Sequence, residues 1–285
     1  MSKQFTTRTL GAVAALSAGW LTSTPSIAQD AKAAEPEKKK GWESVASAGV
    51  TLTRGNSETF LGTVGINAQR KWARDEILLG ASAGYGENTV TGARGSDPLK
   101  PGVKPVEQNT TDEFAKGFGQ YNHLFTERLY GGLRVDALYD SIAGIEYRAT
   151  VSPLIGYYVI KNPKTFLAFE AGPALVFENL DPAKGSDKVH PGENHLGSEV
   201  YVTLRFAERF EHKFSDRAKV WQSAEWLPRV ENLGDYVFNF ELGASAAITK
   251  SLDLRVVLQD TYRSEPPDGR KNNDLKLIAG IGYRF

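Results

Sequence analysis

Cysteine is absent from the sequence, and methionine occurs once. Without cysteine there is no disulfide framework, no thiolate metal site and no cysteine nucleophile. Charge of one sign is also lacking: 34 basic residues face 34 acidic ones. That balance excludes a basic nucleic-acid binder and an acidic solvating tail. Long hydrophobic runs are missing after the first 28 residues, so no segment there offers the roughly 18 or more apolar residues of a membrane-spanning helix. The mean hydropathy of −0.35 agrees. What the 285 residues do contain is glycine (28), aromatic side chains (11%) and long stretches of alternating polarity.

Residues 1–28 read as an address. Lys3 and Arg8 give a basic start, an apolar run extends from Leu10 to Leu21, and Ser26-Ile27-Ala28 supplies the small residues a signal peptidase reads. The run is shorter than the roughly 20 residues of a spanning helix, so a cleaved signal for Sec-type export is expected. Its loss removes two of the 34 bases and no acid, a net charge of −2. Residues 29–41 are polar with one proline and read as a flexible leader in the periplasm, with a short plug folded into a lumen as the alternative.

The remainder, 42–285, alternates with period two. Leu275, Leu277, Ala279, Ile281, Tyr283 and Phe285 interleave with Lys276, Ile278, Gly280, Gly282 and Arg284. Such a strand has one apolar and one polar face. Twelve strands are predicted: 42–54, 58–73, 76–90, 111–125, 128–141, 144–160, 165–178, 197–213, 217–229, 235–249, 251–264 and 273–285. Two resist orientation. Lys116 sits between Phe114 and Phe118, and Trp221 interrupts Val220 and Ala224. Connections alternate between tight turns, such as Asn162-Pro163-Lys164 and Thr249-Lys250-Ser251, and a more variable class that includes long loops at 91–110 and 179–196 and the loop 265–272.

A soluble sandwich also alternates, but its strands usually run about 5–6 residues, whereas these run far longer. Aromatics gather at both strand ends. Trp42, Trp72, Tyr121, Tyr130, Tyr157, Phe210 and Tyr283 lie toward the tight turns, and Tyr85, Tyr139, Tyr147, Phe177, Tyr236 and Tyr262 toward the long loops. Two girdles are expected where strands cross two membrane interfaces. An open sheet would leave edges in lipid, so the sheet must close. The expected fold is therefore all-β: a closed antiparallel up-and-down transmembrane β-barrel of about 12 strands in the bacterial outer membrane. Ten or fourteen strands follow if the two irregular segments are misread.

The segment Gly49-Val50-Thr51-Leu52-Thr53-Arg54-Gly55-Asn56-Ser57-Glu58-Thr59, with the Gly-Tyr-Arg-Phe ending, resembles the family of salt-induced outer-membrane proteins, a YdiY-like domain of unknown function. The resemblance implies an outer-membrane barrel with expression tied in some relatives to salt or acid. It brings no substrate and no functional residues. Gly280, Tyr283 and Phe285 also resemble the C-terminal signal read by the barrel-assembly machinery, although Ile278 stands where that pattern has a polar residue.

Strand parity assigns a charged lumen: Arg134, Asp136, Glu146, Arg148, Glu170, Arg205, Arg209, Glu241, Asp253, Arg255, Arg263, Lys276 and Arg284. Two readings follow. These charges line a narrow passive channel for small polar or ionic solutes, or they cross-pair and occlude the lumen of a structural, stress-response envelope barrel. Arg255, Arg263, Lys276 and Arg284 meet few acids nearby in sequence, which hints at a basic wall. Asp181, Asp187, His190, Glu193 and His195 lack a recognised metal-ligand spacing, so a solvated loop is expected there, and no metal or cofactor. Arg94, Lys100 and Lys104 in the loop 91–110 offer contacts to lipopolysaccharide, one of the lipid partners of such a barrel. A lipid-modifying enzyme would need a Ser–His contact at the outer rim. His123 and His212 fall at the opposite ends of their strands, and no G-x-S-x-G elbow occurs, so enzyme activity is not expected.

Overall fold

The computed structural model describes residues 41–53, 57–91, 106–180, 198–265 and 272–285. The proposed signal 1–28, nearly all of the leader 29–41, the candidate ligands of loop 179–196 and the basic residues of loop 91–110 lie outside the described residues. The strands are β1 (Glu43–Thr53), β2 (Ser57–Lys71), β3 (Asp75–Thr91), β4 (Val106–Leu124), β5 (Leu129–Asp140), β6 (Ile145–Lys161), β7 (Thr165–Leu180), β8 (Ser198–Lys213), β9 (Ala218–Pro228), β10 (Tyr236–Ala247), β11 (Leu252–Arg263) and β12 (Asn273–Arg284). Each pairs antiparallel with its sequence neighbours, and β1 pairs with β12, so the sheet closes into a barrel. The twelve-strand expectation holds.

One boundary moves. β4 begins at Val106, not at 111, and pairs with β3 as far as Val106↔Thr91. Residues 106–110 carry no apolar alternation, because this part of the hairpin continues past the apolar band. A register shift between Gly86 and Glu87 marks the change.

The five tight turns lie at the end carrying both termini, and four of them are held by side-chain caps from Thr126, Asn162, Ser215 and Thr249. Asn162 Oδ1 accepts from the Lys164 and Thr165 amides at 3.0 and 2.7 Å, and Thr249 Oγ1 does the same for Ser251 and Leu252. These side chains supply the turn's missing backbone partners. At the other end Gly144 has φ 68°, which an L side chain rarely adopts, and Asp140 Oδ1 accepts from the Ala143 amide.

Polarity is inverted relative to a water-soluble core. Val64, Ile66, Leu133, Val135, Ile155, Val202, Leu254, Val256, Leu277 and Ile281 stand exposed on the outside. Glu170, Arg205, Glu225, Arg134 and Asn122 are buried inside. An exposed apolar band around a closed sheet is stable only against lipid. The girdle expectation needs one correction: Tyr130 is fully buried and points inward, because it pairs across from Gly156 and its ring covers that glycine. Trp72, Tyr121, Tyr157 and Tyr283 stand exposed at one rim, and Tyr85, Tyr139 and Tyr147 at the other.

Candidate functional site: the barrel lumen

Register fixes which side chains share the bore. Across β4, β5 and β6 the pairs Gln120↔Arg134↔Ser152 and Phe118↔Asp136↔Thr150 face inward. Across β7 to β11, Glu170↔Ala207↔Glu225↔Asn239↔Thr261 does. The two unoriented segments resolve the same way. Phe114, Lys116 and Phe118 all point inward, while Ala115, Gly117 and Gly119 form the outer face. Trp221 also points inward and is 3% exposed. Both strands break simple alternation because a large inward side chain lies over a glycine on the neighbouring strand. A Cβ on Gly84 or Gly80 would overlap Phe114 or Phe118, and one on Gly243 would overlap Trp221. Bulk therefore moves from the outer face to the lumen.

The β4–β9 side of the lumen is a packed wall. Glu170 is its centre: Oε1 accepts from Gln120 Nε2 (2.9 Å), Tyr130 Oη (2.8 Å) and Arg209 Nη2 (2.7 Å), and Oε2 from Arg205 Nη1 (2.9 Å). Arg205 Nε donates on to Glu225 Oε1 at 2.6 Å, and Asn239 donates to Glu225 Oε2 at 3.2 Å. Arg134 forks onto Asp136 through Nε and Nη2, donates Nη1 to Gln120, and lies 4.2 Å over the Phe118 ring. Nearer the termini, Tyr158 Oη on β6 donates to Glu76 on β3 at 2.5 Å, and its ring packs 4.7 Å from Tyr130. These contacts reach across three strands and fill that part of the bore. A buried carboxylate is tolerable only when fully paired in this way.

The opposite side, β10–β12 with β1–β3, is an open wall. Ser47, Thr63, Asn67, Ser82 and Gln259 face inward but are only half-buried. They border a cavity of about 140 Å³ that is also lined by Lys116, Trp221, Glu241 and Arg255. Glu241 accepts from Trp221 Nε1 at 2.7 Å and from Gln259 Nε2 at 2.9 Å.

The remaining assigned charges fall as follows. Arg148 and Glu178 form an ion pair near the end opposite the termini. Arg263 points inward opposite Val237. Glu146 does not enter the bore: it lies exposed at the rim beside a register shift, bonded to Asn179. The basic wall also needs correction. Arg255 Nε is 2.5 Å from Asp253, Arg284 Nε is 3.5 Å from the same carboxylate, and Lys276 reaches Asp112 on β4 at 2.5 Å. Residues two apart on a strand share a face, so Asp253 neutralises Arg255 directly. Asp112 was hidden because it lies four strands away around the ring. Outside the strands, burial pushes the Asp235 carboxyl upward, against the opposing pull of Arg229 at 3.3 Å.

Gln120, Tyr130, Tyr158 and Glu225 belong to the packed wall, and Glu76 meets it from β3, yet all five escape parity-based selection of charges. Glycine on the paired strand is the available signal, as at Gly156 under Tyr130. His123 lies 2.9 Å from Asp75, and His212 lies 2.9 Å from Thr165 Oγ1, both at the rim bearing the termini. Among the described residues no cluster of three His, Asp or Glu is placed to hold a metal. The C-terminal Tyr283 and Phe285 stack 6.2 Å apart on the outer face, and Gly280 packs against Gly49 where the barrel closes.

Solved structures of similar fold include the NanC porin (8% identity, TM-score 0.50, covering 85% of this chain and 100% of that one). An outer-membrane channel from Pseudomonas putida F1 matches at 10% identity and TM-score 0.46, covering 88% and 100%. The translocator domain of the autotransporter NalP from Neisseria meningitidis matches at 14% identity and TM-score 0.41, covering 86% and 87%. At such identities the likeness concerns the fold alone. No curated protein matches significantly. A family model does match, over residues 46–285, nearly the whole barrel, and the chain belongs to that family, described as a protein of unknown function, DUF481.

Proposed function

We propose that the protein resides in the bacterial outer membrane, reached by Sec-type export and the barrel-assembly machinery, and acts there as a narrow passive channel for small polar or ionic solutes. The observation that carries this reading is the half-buried polar lining of the open wall and its 140 Å³ cavity. The mechanism is diffusion along that wall, past Lys116, Glu241 and Arg255, while the Glu170 network narrows the bore from the other side. Because Asp253 and Asp112 pair with Arg255 and Lys276, the lumen favours neither ion sign strongly.

Planar-bilayer conductance of the refolded protein under a salt gradient tests the proposal. Small stepwise currents with a reversal potential near zero are expected. A heat-modifiable, correctly closed barrel that stays silent overturns it. That outcome supports the second reading, a structural or stress-response envelope barrel with an occluded lumen. The cross-lumen contacts Tyr158–Glu76 and Lys276–Asp112 favour this alternative.

A further inference from the structure

Glu208 is an acid on the wrong side of the wall. Its neighbours Ala207 and Arg209 face the lumen, but Glu208 pairs across with Phe169 and Ala224, on the outer face. Phe169 is exposed there. Glu208 Oε2 accepts from Gln222 Nε2 at 2.7 Å. Gln222 pairs with Phe210, one step nearer the rim that bears the termini, so the carboxylate bends toward that rim. On its membrane-interior side opens an apolar groove of about 420 Å³, walled by Tyr157, Phe169, Phe206 and Trp226 and floored by Ala171 and Ala224. The Phe206 and Trp226 rings stack at 5.5 Å. The volume falls in the range of ligand pockets, roughly 300–1,000 Å³.

A carboxylate facing lipid is unfavourable unless paired, and one amide donor satisfies only part of its accepting capacity. The groove beside it accepts a hydrocarbon chain. We propose that this site binds a phospholipid that carries a primary ammonium headgroup, in the leaflet at the rim bearing the termini, which the periplasmic leader expected before β1 makes the periplasmic leaflet. Its acyl chain lies in the groove, and its ammonium pairs with Glu208 and the amide oxygen of Gln222. Charge decides among occupants. An anionic phospholipid carries the same phosphate but no ammonium to offset it beside Glu208. A second copy docked by a two-fold contact would bring the same acidic surface against itself. Lipopolysaccharide is anionic and belongs to the other leaflet. The inference rests on the membrane placement and not on conduction.

The test is native mass spectrometry of the delipidated, heat-modifiable barrel reloaded with equimolar phosphatidylethanolamine and phosphatidylglycerol. The wild type should retain phosphatidylethanolamine about tenfold better, in keeping with one charge-assisted hydrogen bond. Glu208→Gln keeps the volume and the Gln222 contact and should remove that preference. Ala171→Phe, which fills the groove floor, should lower retention of both lipids. Equal retention of the two lipids by the wild type, or an unchanged preference in Glu208→Gln, overturns the proposal. So does a dimer that Glu208→Gln strengthens, which would assign the groove to a second copy.

Discussion

The two walls of the lumen solve the problem of a polar interior in different ways. On β4–β9 the inward groups pack closely against one another: Ser152, Glu170, Arg205 and Ser223 are each less than 5% exposed. On the opposite side Ser47, Thr63, Asn67, Ser82 and Gln259 stay half-buried around a cavity, although Glu241, Asp253 and Thr261 on the same strands are buried. The difference follows from side-chain length. Arg and Tyr reach neighbours two or three strands away, whereas Ser and Thr at Ser47, Thr63 and Ser82 cannot. Long polar chains close one side into a core; short ones leave a cavity on the other.

That contrast breaks at defined points. The largest effect is expected for Glu170→Ala, which leaves Arg205 and Arg209 buried without their shared carboxylate. Breaking such a buried network costs about 3–5 kcal/mol, measurable as a lower urea midpoint in lipid vesicles. On the open wall Ser82→Ala should stay within about 0.5 kcal/mol, the usual range away from such networks. Tyr158→Phe removes the bond to Glu76 and should cost about 1.5–3 kcal/mol in the same assay. Gly156→Ala places a methyl in the Tyr130 ring, an overpacking expected to cost about 1–3 kcal/mol and to be relieved by Tyr130→Ala in the double variant.

Conductance sharpens the comparison from the other side. Ser82→Phe should lower single-channel current by roughly twofold or more with little change in stability, since the open wall has room for the ring but not for ring and solute together. The smallest effect is expected for Arg255→Ala. It leaves Asp253 with Arg284 alone at 3.5 Å, and the permeability ratio should move toward cations by roughly twofold. A wild-type preference for anions that Arg255→Ala abolished entirely would instead restore the basic wall.

The outer surface was far more legible in the sequence than the inner one. Leu275, Leu277, Ala279, Ile281 and Tyr283 meet only lipid, so period two suffices to place them. The inner surface depends on partners that no local pattern connects, such as Lys276 with Asp112 or Gln120 with Glu170. Lys116 and Trp221 defeated alternation because their strands put bulk inside, over Gly243 and its counterparts, instead of outside. Tyr130 was misassigned for the same reason: an aromatic near a strand end looks the same from sequence whichever way it points. The charges that parity selected share the bore apart from Glu146, but parity is blind to which of them neutralise each other.

The closing pair of strands carries its own consequence. Gly49 stands opposite Gly280, and a Cβ on either would collide with its surroundings. The ring is therefore sealed along a line that is nearly bare of side chains at its centre. Two strands more than 200 residues apart meet there backbone to backbone at the glycine pair, with the Ile278 side chain lying over Gly49. The seam thus resembles a zip between two closely apposed edges, and either glycine is where a single added carbon would hold it open.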